Sequence, residues 1–253
     1  MTGRKSSYLK LLVFVPYLAY LIFPQVQRTL LGTLFPATEE LVYPRAGLLY
    51  LFGEHLLLVL LSEVLAFLSG LSLGIVVTRR WGEEFKQPVL DLSALLQTFP
   101  PVAVLTLAVP ALGFGFAPAF LALYLYSILP IVRNCITGLS SVSPSLKEAA
   151  RGMGMNSRQI LFQVELPQAF PAILAGTRIS TIINIGTATV GGVIGAGGLG
   201  VVIVAGLVRD NTAFVLQGAL AAAGLALAAD GIFELWNSRL SVVSSRSTDN
   251  NRN

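Results

Sequence analysis

Charge is scarce in this chain of 253 residues: Asp, Glu, Lys and Arg make up 12%, where soluble domains carry roughly 25%. Cysteine and histidine occur once each, as Cys135 and His55. That excludes an internal disulfide and leaves no Cys/His cluster to ligate zinc. Cys135 reads as a small buried apolar side chain. No Gly-x-x-x-x-Gly-Lys-Ser/Thr run is present, so the chain has no P-loop to cradle phosphates. No nucleophile motif accompanies His55, which excludes a hydrolytic triad and argues against a membrane-embedded enzyme. What fills the chain instead is apolar: 54% hydrophobic residues and a mean hydropathy of +0.74. Such a composition belongs in membrane lipid. The net charge of +4 does not signal nucleic acid, because the Lys and Arg fall in short clusters between apolar runs, as cytoplasmic loops do.

A helix rises about 1.5 Å per residue and the hydrocarbon core is about 30 Å thick, so a span needs roughly 20 mostly apolar residues. Five stretches qualify: 50–78, 88–112, 116–139, 169–194 and 212–236. A sixth, 9–23, is shorter. It follows Arg4, Lys5 and Lys10 as a signal-peptide core would, but no small-x-small cleavage site precedes Pro24, and it reads as a retained anchor. The expected fold is all-α and polytopic, with about six transmembrane helices in one domain, 1–240. When six helices are threaded, Arg79, Arg80, Lys86, Lys147, Arg151, Arg158, Arg239, Arg246 and Arg252 join the N-terminal cations on one side, and only Arg28, Arg45 and Arg209 fall opposite. The positive-inside rule then makes both termini cytoplasmic, together with the loop at about 140–168. The polar stretch 241–253 is expected to be disordered.

That loop carries local helix chemistry. Ser143-Pro144 supplies an N-cap and a residue suited to the first helical position, while Ser145 with Glu148 offers a capping box in a competing register. Leu146, Ala149, Ala150 and Met153 form an apolar stripe, with Lys147 and Arg151 turned away. Gly154 permits a left-handed turn. Asn156 or Ser157 caps a second helix through Ile160, Leu161 and Val164, which Pro167 ends or redirects into the membrane. Two short helices at an angle make a knob suited to a socket on another protein.

From Glu148 the residues run Glu-Ala-Ala, three residues, Gly154, nine residues, then Val164-Glu165-Leu166-Pro167. This resembles the loop of ATP-binding-cassette importer permeases, with Val164 where Ile is commoner. The resemblance implies the type I importer permease architecture, and it implies that Glu148, Ala149, Ala150, Gly154, Leu166 and Pro167 couple to ATPase subunits. It further implies a second permease copy or paralogue and a separate external substrate-binding protein. ATP and Mg would act on the partner ATPase, with no cofactor bound by this chain, in a prokaryotic inner membrane. Over 55–240, Leu129 to Asn134, the run Gly195-Ala196-Gly197-Gly198-Leu199-Gly200, and Gly206-Leu207 with Asp210 resemble permeases for glycine betaine, carnitine and choline. Methionine importers share a similar glycine-rich run, so a permease for methionine or another amino acid is the alternative.

Gly195, Gly197 and Gly200 also satisfy G-x-G-x-x-G, but a dinucleotide site needs a preceding strand, a following helix and an acidic residue about 20 residues on. The pattern supplies none of these, and the run reads as an irregular turn at the outer mouth. Gly70 and Gly74 read as a helix-packing pair. Ionisable residues inside a span need partners. Arg133, Arg178 and Asp230 lie at similar depth by helical rise, and Arg178 with Asp230 is the expected inner-gate pair; snorkelling of the arginines to the interface is the alternative. Glu63 has no charge at its depth, so it pairs across a subunit interface, is protonated, or faces an aqueous path. Phe120 and Tyr124 share a face at i,i+4, as packing aromatics or as a lining that attracts a quaternary ammonium solute. Glu63, Phe120 and Tyr124 are thus the candidate path residues.

Overall fold

Thirty residues from Leu48 to Val77 contain no proline and form one helix, α3. At about 1.5 Å per residue it outreaches the hydrocarbon core. The structure is a computed structural model that describes the backbone of residues 14–249 and side chains of 14–237. Before α3 lie α1 (14–22) and α2 (Pro24–Leu34). After it come α4 (Lys86–Leu96), α5 (Pro101–Leu112), α6 (Phe116–Ser140), α7 (Pro144–Gly152) and α8 (Ser157–Ile160). A π-helical segment, Leu161–Glu165, leads into α9 (Leu166–Val190), followed by α10 (Gly200–Val208) and α11 (Thr212–Asp249). No strand occurs among the described residues. Four described helices are long and apolar enough to cross a membrane, or five if one interrupted pair counts as a single span.

The interrupted pair corrects the expected span 88–112, which is broken at 97–100 into α4 and α5. Pro101 disfavours helix at the residue before it and then opens α5 at the first helical position. Within the break, the Phe99 carbonyl accepts a hydrogen bond from the Tyr126 hydroxyl, which satisfies an acceptor the helix would otherwise have used. Two further segments lie at the ends. Of the expected span 9–23, α1 covers 14–22, and residues 9–13 lie outside the described residues. At the other end, the α11 backbone is helical to Asp249, within the stretch from 241 for which disorder is expected. Residues 250–253 of that tail lie outside the described residues.

The chain divides into two compact units. The first comprises Met1–Ser62, Pro101–Leu123 and Ile182–Gly231. Its apolar core includes Leu21, Leu51, Leu199, Val202 and Phe214, and a second cluster gathers Leu58, Leu105, Leu123, Ile185 and Leu225. A buried amide pair closes it: Gln217 donates to Gln27 Oε1 at 2.7 Å, Gln27 donates to the Tyr20 carbonyl at 2.7 Å, and Gln217 Oε1 accepts from Tyr43 N at 2.9 Å. Because these polar atoms find partners, they can be buried without the usual desolvation penalty.

The second unit comprises Glu63–Pro100, Tyr124–Thr181 and Ile232–Asn253. Here α3 and α6 cross closely. A Cβ added at Gly74 would lie 2.6 Å from Cys135 Sγ, and one at Gly70 would lie 3.0 Å from Ile131 Cγ2. The small-residue pair therefore packs against α6, a partner its spacing alone could not name. Cys135 is buried, as its isolation in the sequence suggested. On α9, Ala169 packs close to Gly138 of α6, and a Cβ at Gly176 would lie 2.8 Å from the Pro130 carbonyl.

Candidate functional site

The turn and caps of the knob follow its local chemistry, with a change at the first cap. Pro144 occupies the start of α7 with Ser143 as N-cap, so the Ser143 register wins over that of Ser145. The Ser143 hydroxyl makes no capping bond; it lies 2.6 Å from Ser145 Oγ instead. Gly154 follows α7 at φ +82°, in the left-handed region, and its N–H bonds the Arg151 carbonyl at 2.9 Å. Asn156 caps α8 through a reciprocal box: Gln159 N donates to Asn156 Oδ1 at 3.0 Å, and Asn156 N donates to Gln159 Oε1 at 2.8 Å.

Pro167 does not end the second helix. The run from Ser157 to Ile194 is one continuous helical stretch, and the π segment explains how. Proline lacks an N–H, and its ring would clash with the carbonyl four residues back in an α-helix. Widening the turn ahead of it, so that Leu166 N bonds Leu161 O, removes that conflict. Leu166 is half-buried and Pro167 exposed. Together with Phe67, Phe162 and Phe170 they line an open apolar groove.

The expected apolar stripe on α7 is corrected. Ala150 is 1% exposed, but Leu146 and Ala149 are exposed and Met153 is 76% exposed. Glu148 is exposed as well. The side chain expected to turn away turns in: Lys147 Nζ lies 3.1 Å from Glu165 Oε1. The other oxygen of that carboxylate, Oε2, accepts from Arg79 Nη1 at 2.5 Å. Glu165 is only 5% exposed at its side chain and joins three elements of the second unit. It was not among the residues singled out from sequence, because it occupies the unspecified position of the Val164-x-Leu166-Pro167 run.

Glu63 is buried in the second unit, and its Oε2 accepts from Ser127 Oγ and Ser180 Oγ, each at 3.0 Å. Hydroxyls from α6 and α9 thus surround a carboxylate for which the sequence offered no charged neighbour. Phe120, in the first unit, stacks on Phe116 with ring centroids 5.8 Å apart. Tyr124, in the second, donates to Ser69 Oγ at 3.2 Å. Arg178 belongs to the second unit and Asp230 to the first; each is half-buried, whereas Arg133 is exposed.

In the glycine-rich segment, Gly195, Gly197 and Gly198 all have positive φ, and Gly198 N donates to Glu54 Oε2 at 3.1 Å. A helix does follow the segment, α10, contrary to expectation. A 3-10 turn, Gly191–Ile194, precedes it in place of the strand a dinucleotide site requires.

Comparisons with known proteins give the family and the fold. Residues 70–242 match the family model described as "Binding-protein-dependent transport system inner membrane component". The chain is 43% identical to the osmoprotectant import permease protein OsmY of Salmonella typhimurium over 80% of this chain and 86% of that one. It is 40% identical to the glycine betaine/carnitine/choline transport system permease protein OpuCB of Bacillus subtilis, covering 72% of this chain and 83% of the relative. Among solved structures, a chain of the MetNI methionine ABC transporter in an inward-facing conformation is similar at a TM-score of 0.59 and 26% identity, over 73% of this chain and 93% of that one.

Proposed function

Because this chain belongs to the inner-membrane component family of binding-protein-dependent transport systems, we propose that it is the permease through which an ATP-driven importer takes up a quaternary ammonium osmoprotectant. Glycine betaine, carnitine and choline are the candidate solutes, since relatives at 36–43% identity carry those substrates or the word osmoprotectant in their names. As a member of this family the chain is a multi-pass inner-membrane subunit of a transporter and works with an ATPase subunit and a substrate-binding protein. Both termini lie in the cytoplasm in this reading, ATP and Mg are handled by the ATPase, and a second permease copy or paralogue completes the path.

The observation that carries the reading is the exposed knob from α7 to α8. Glu148 and Ala149 face outward on a short, capped helix, and the small alanine lets a partner approach closely. The external binding protein delivers solute near 195–200. Glu63, Phe120 and Tyr124 are proposed to line the route inward. A polar carboxylate site and aromatic faces suit a cation that must be held weakly enough to leave.

The test is reconstitution of the chain with its ATPase and binding protein in vesicles, with ATP hydrolysis followed as each solute is added. Stimulation by glycine betaine, carnitine or choline is expected. Stimulation by methionine alone would replace the substrate assignment with the amino-acid alternative.

Arg178 and Asp230 are proposed as the inner-gate pair on the ground of their similar depth by helical rise. In a double-mutant cycle, Arg178→Ala and Asp230→Ala should be non-additive in uptake or thermal stability by about 0.5–3 kcal/mol, the range for interacting neighbours. Additive losses would dissolve the pair.

A further inference from the structure

We propose that Glu165 is a positioning residue, an ionic node through which displacement of α7 reaches the end of α3. The inference rests on the reading of α7 as the docking helix. Its starting point is how little else holds α7. A short helix normally anchors by an apolar face, yet within α7 Leu146 is exposed and only Ala150 is buried, and Met153 just past its end is exposed as well. Besides its packing against α8 and the π segment, that helix is held by an ion pair, Lys147 to Glu165 Oε1 at 3.1 Å.

The geometry at the carboxylate makes it a junction. Each oxygen is claimed by a different cation from a different element: Lys147 of α7 on Oε1, and Arg79 just beyond α3 on Oε2. Arg79 reaches Oε2 by Nη1 alone, while its Nη2 lies 3.4 Å from Thr78 Oγ1. A single-armed contact is weaker and more readily exchanged than a bidentate fork. The carboxylate is buried while both cations keep partial access to water, at 24% side-chain exposure each. Glu165 also ends the π segment that connects α8 to α9. Movement of α7 therefore pulls on α3 through Arg79 and on α9 through the chain itself. If Glu165 loses its charge, two cations face one site with nothing between them, and α7 is pushed off instead of held.

Glu165→Gln keeps the shape and removes the charge. The measurement uses the assembled complex with its ATPase subunits and follows hydrogen exchange of residues 74–80 with and without ATP plus vanadate, a readout independent of which solute is carried. Glycine betaine uptake is the second readout. In Glu165→Gln the ATPase subunits should still co-purify, the nucleotide-dependent change in exchange should be lost, and uptake should fall about tenfold, toward the low end of couplings between separated sites. Arg79→Gln and Lys147→Gln should each weaken both readouts, and neither should add to Glu165→Gln, because all three act through one node.

A Glu165→Gln complex with an intact exchange response overturns the proposal. So does one that sheds its ATPase subunits, which would make Glu165 part of the docking surface itself. If Glu165→Gln does not accumulate, the Arg79→Gln and Lys147→Gln double variant decides: additive losses overturn the node. The docking reading fails separately, if Ala149→Trp leaves the ATPase subunits bound as in wild type.

Discussion

Gly154→Val is expected to abolish ATP-driven uptake, by about a hundredfold at the upper end of coupling between sites, while the protein still inserts into the membrane. The reason is confined to the backbone. Gly154 has φ +82°, and a Cβ there would meet nothing within 4 Å, so no collision with neighbours is involved. A β-branched residue in the left-handed region is a genuine outlier, and the strain is about 1–2 kcal/mol per residue. That is small beside the stability of the whole chain but large for a turn that alone sets the angle between α7 and α8. The turn yields first, and Glu148 and Ala149 are no longer presented to the ATPase in register. Gly154→Asn is the control, since asparagine tolerates this region and closes such turns in its own right. Uptake into vesicles is measured alongside the amount of membrane-inserted protein. Undiminished uptake in the valine variant at normal insertion would sink the coupling role of the loop.

Gly74→Val should lower stability markedly. The first atom of any side chain at this position would lie 2.6 Å from Cys135 Sγ and 2.7 Å from Cys135 Cβ. Rotation about χ1 could move Sγ, but Cβ is fixed to the α6 backbone, so α3 and α6 must separate. Overpacking of this kind costs about 1–3 kcal/mol, and the close backbone approach that small residues give to membrane helices is lost as well. With about 2–4 °C per kcal/mol for a chain of this size, thermal melting in detergent should drop by several degrees. Gly74→Ala should be milder, and Cys135→Gly combined with it should recover part of the loss by vacating the space the new Cβ needs. Equal melting temperatures for Gly74→Val and wild type would mean that the two helices do not cross so closely.

The parts of the molecule that were legible in the sequence are those governed by a residue's own backbone chemistry. Pro144 at the start of α7, Gly154 in its left-handed turn and the Asn156 cap each act within a few residues, so no knowledge of the fold is required. The buried face of α7 was not legible. The stripe of Leu146, Ala149, Ala150 and Met153 has the spacing of a face that packs, but periodicity does not say whether the packing partner belongs to the same chain. The same limit applies to Lys147, whose acceptor Glu165 lies on a later element, while Arg79 comes from 86 positions earlier than that acceptor. A lone acidic residue between Val164 and Leu166 was the available signal. Glu63 was recognised as needing a partner, but hydroxyls carry no charge pattern, and Ser127 and Ser180 stood unnoticed among many serines. In the third span, the apolar composition of 88–112 outweighed Pro100-Pro101, and the dipeptide proved the better guide. Helix α10 was hidden by the glycines that precede it.

The π segment also has a consequence for how sequence changes in this region are tolerated. A π turn holds one residue more than the α turn it replaces, and each residue in an α-helix advances the helical face by about 100°. The wide turn at Leu161–Glu165 therefore takes up that extra residue within one turn, so the roughly 100° it would otherwise add does not reach α8 or α9. Removing a single residue there would restore a uniform ladder and leave α9 where it is. Everything upstream, α8 and the knob included, would keep nearly its present orientation, whereas removing one residue from a regular stretch of α-helix would turn it by about 100°.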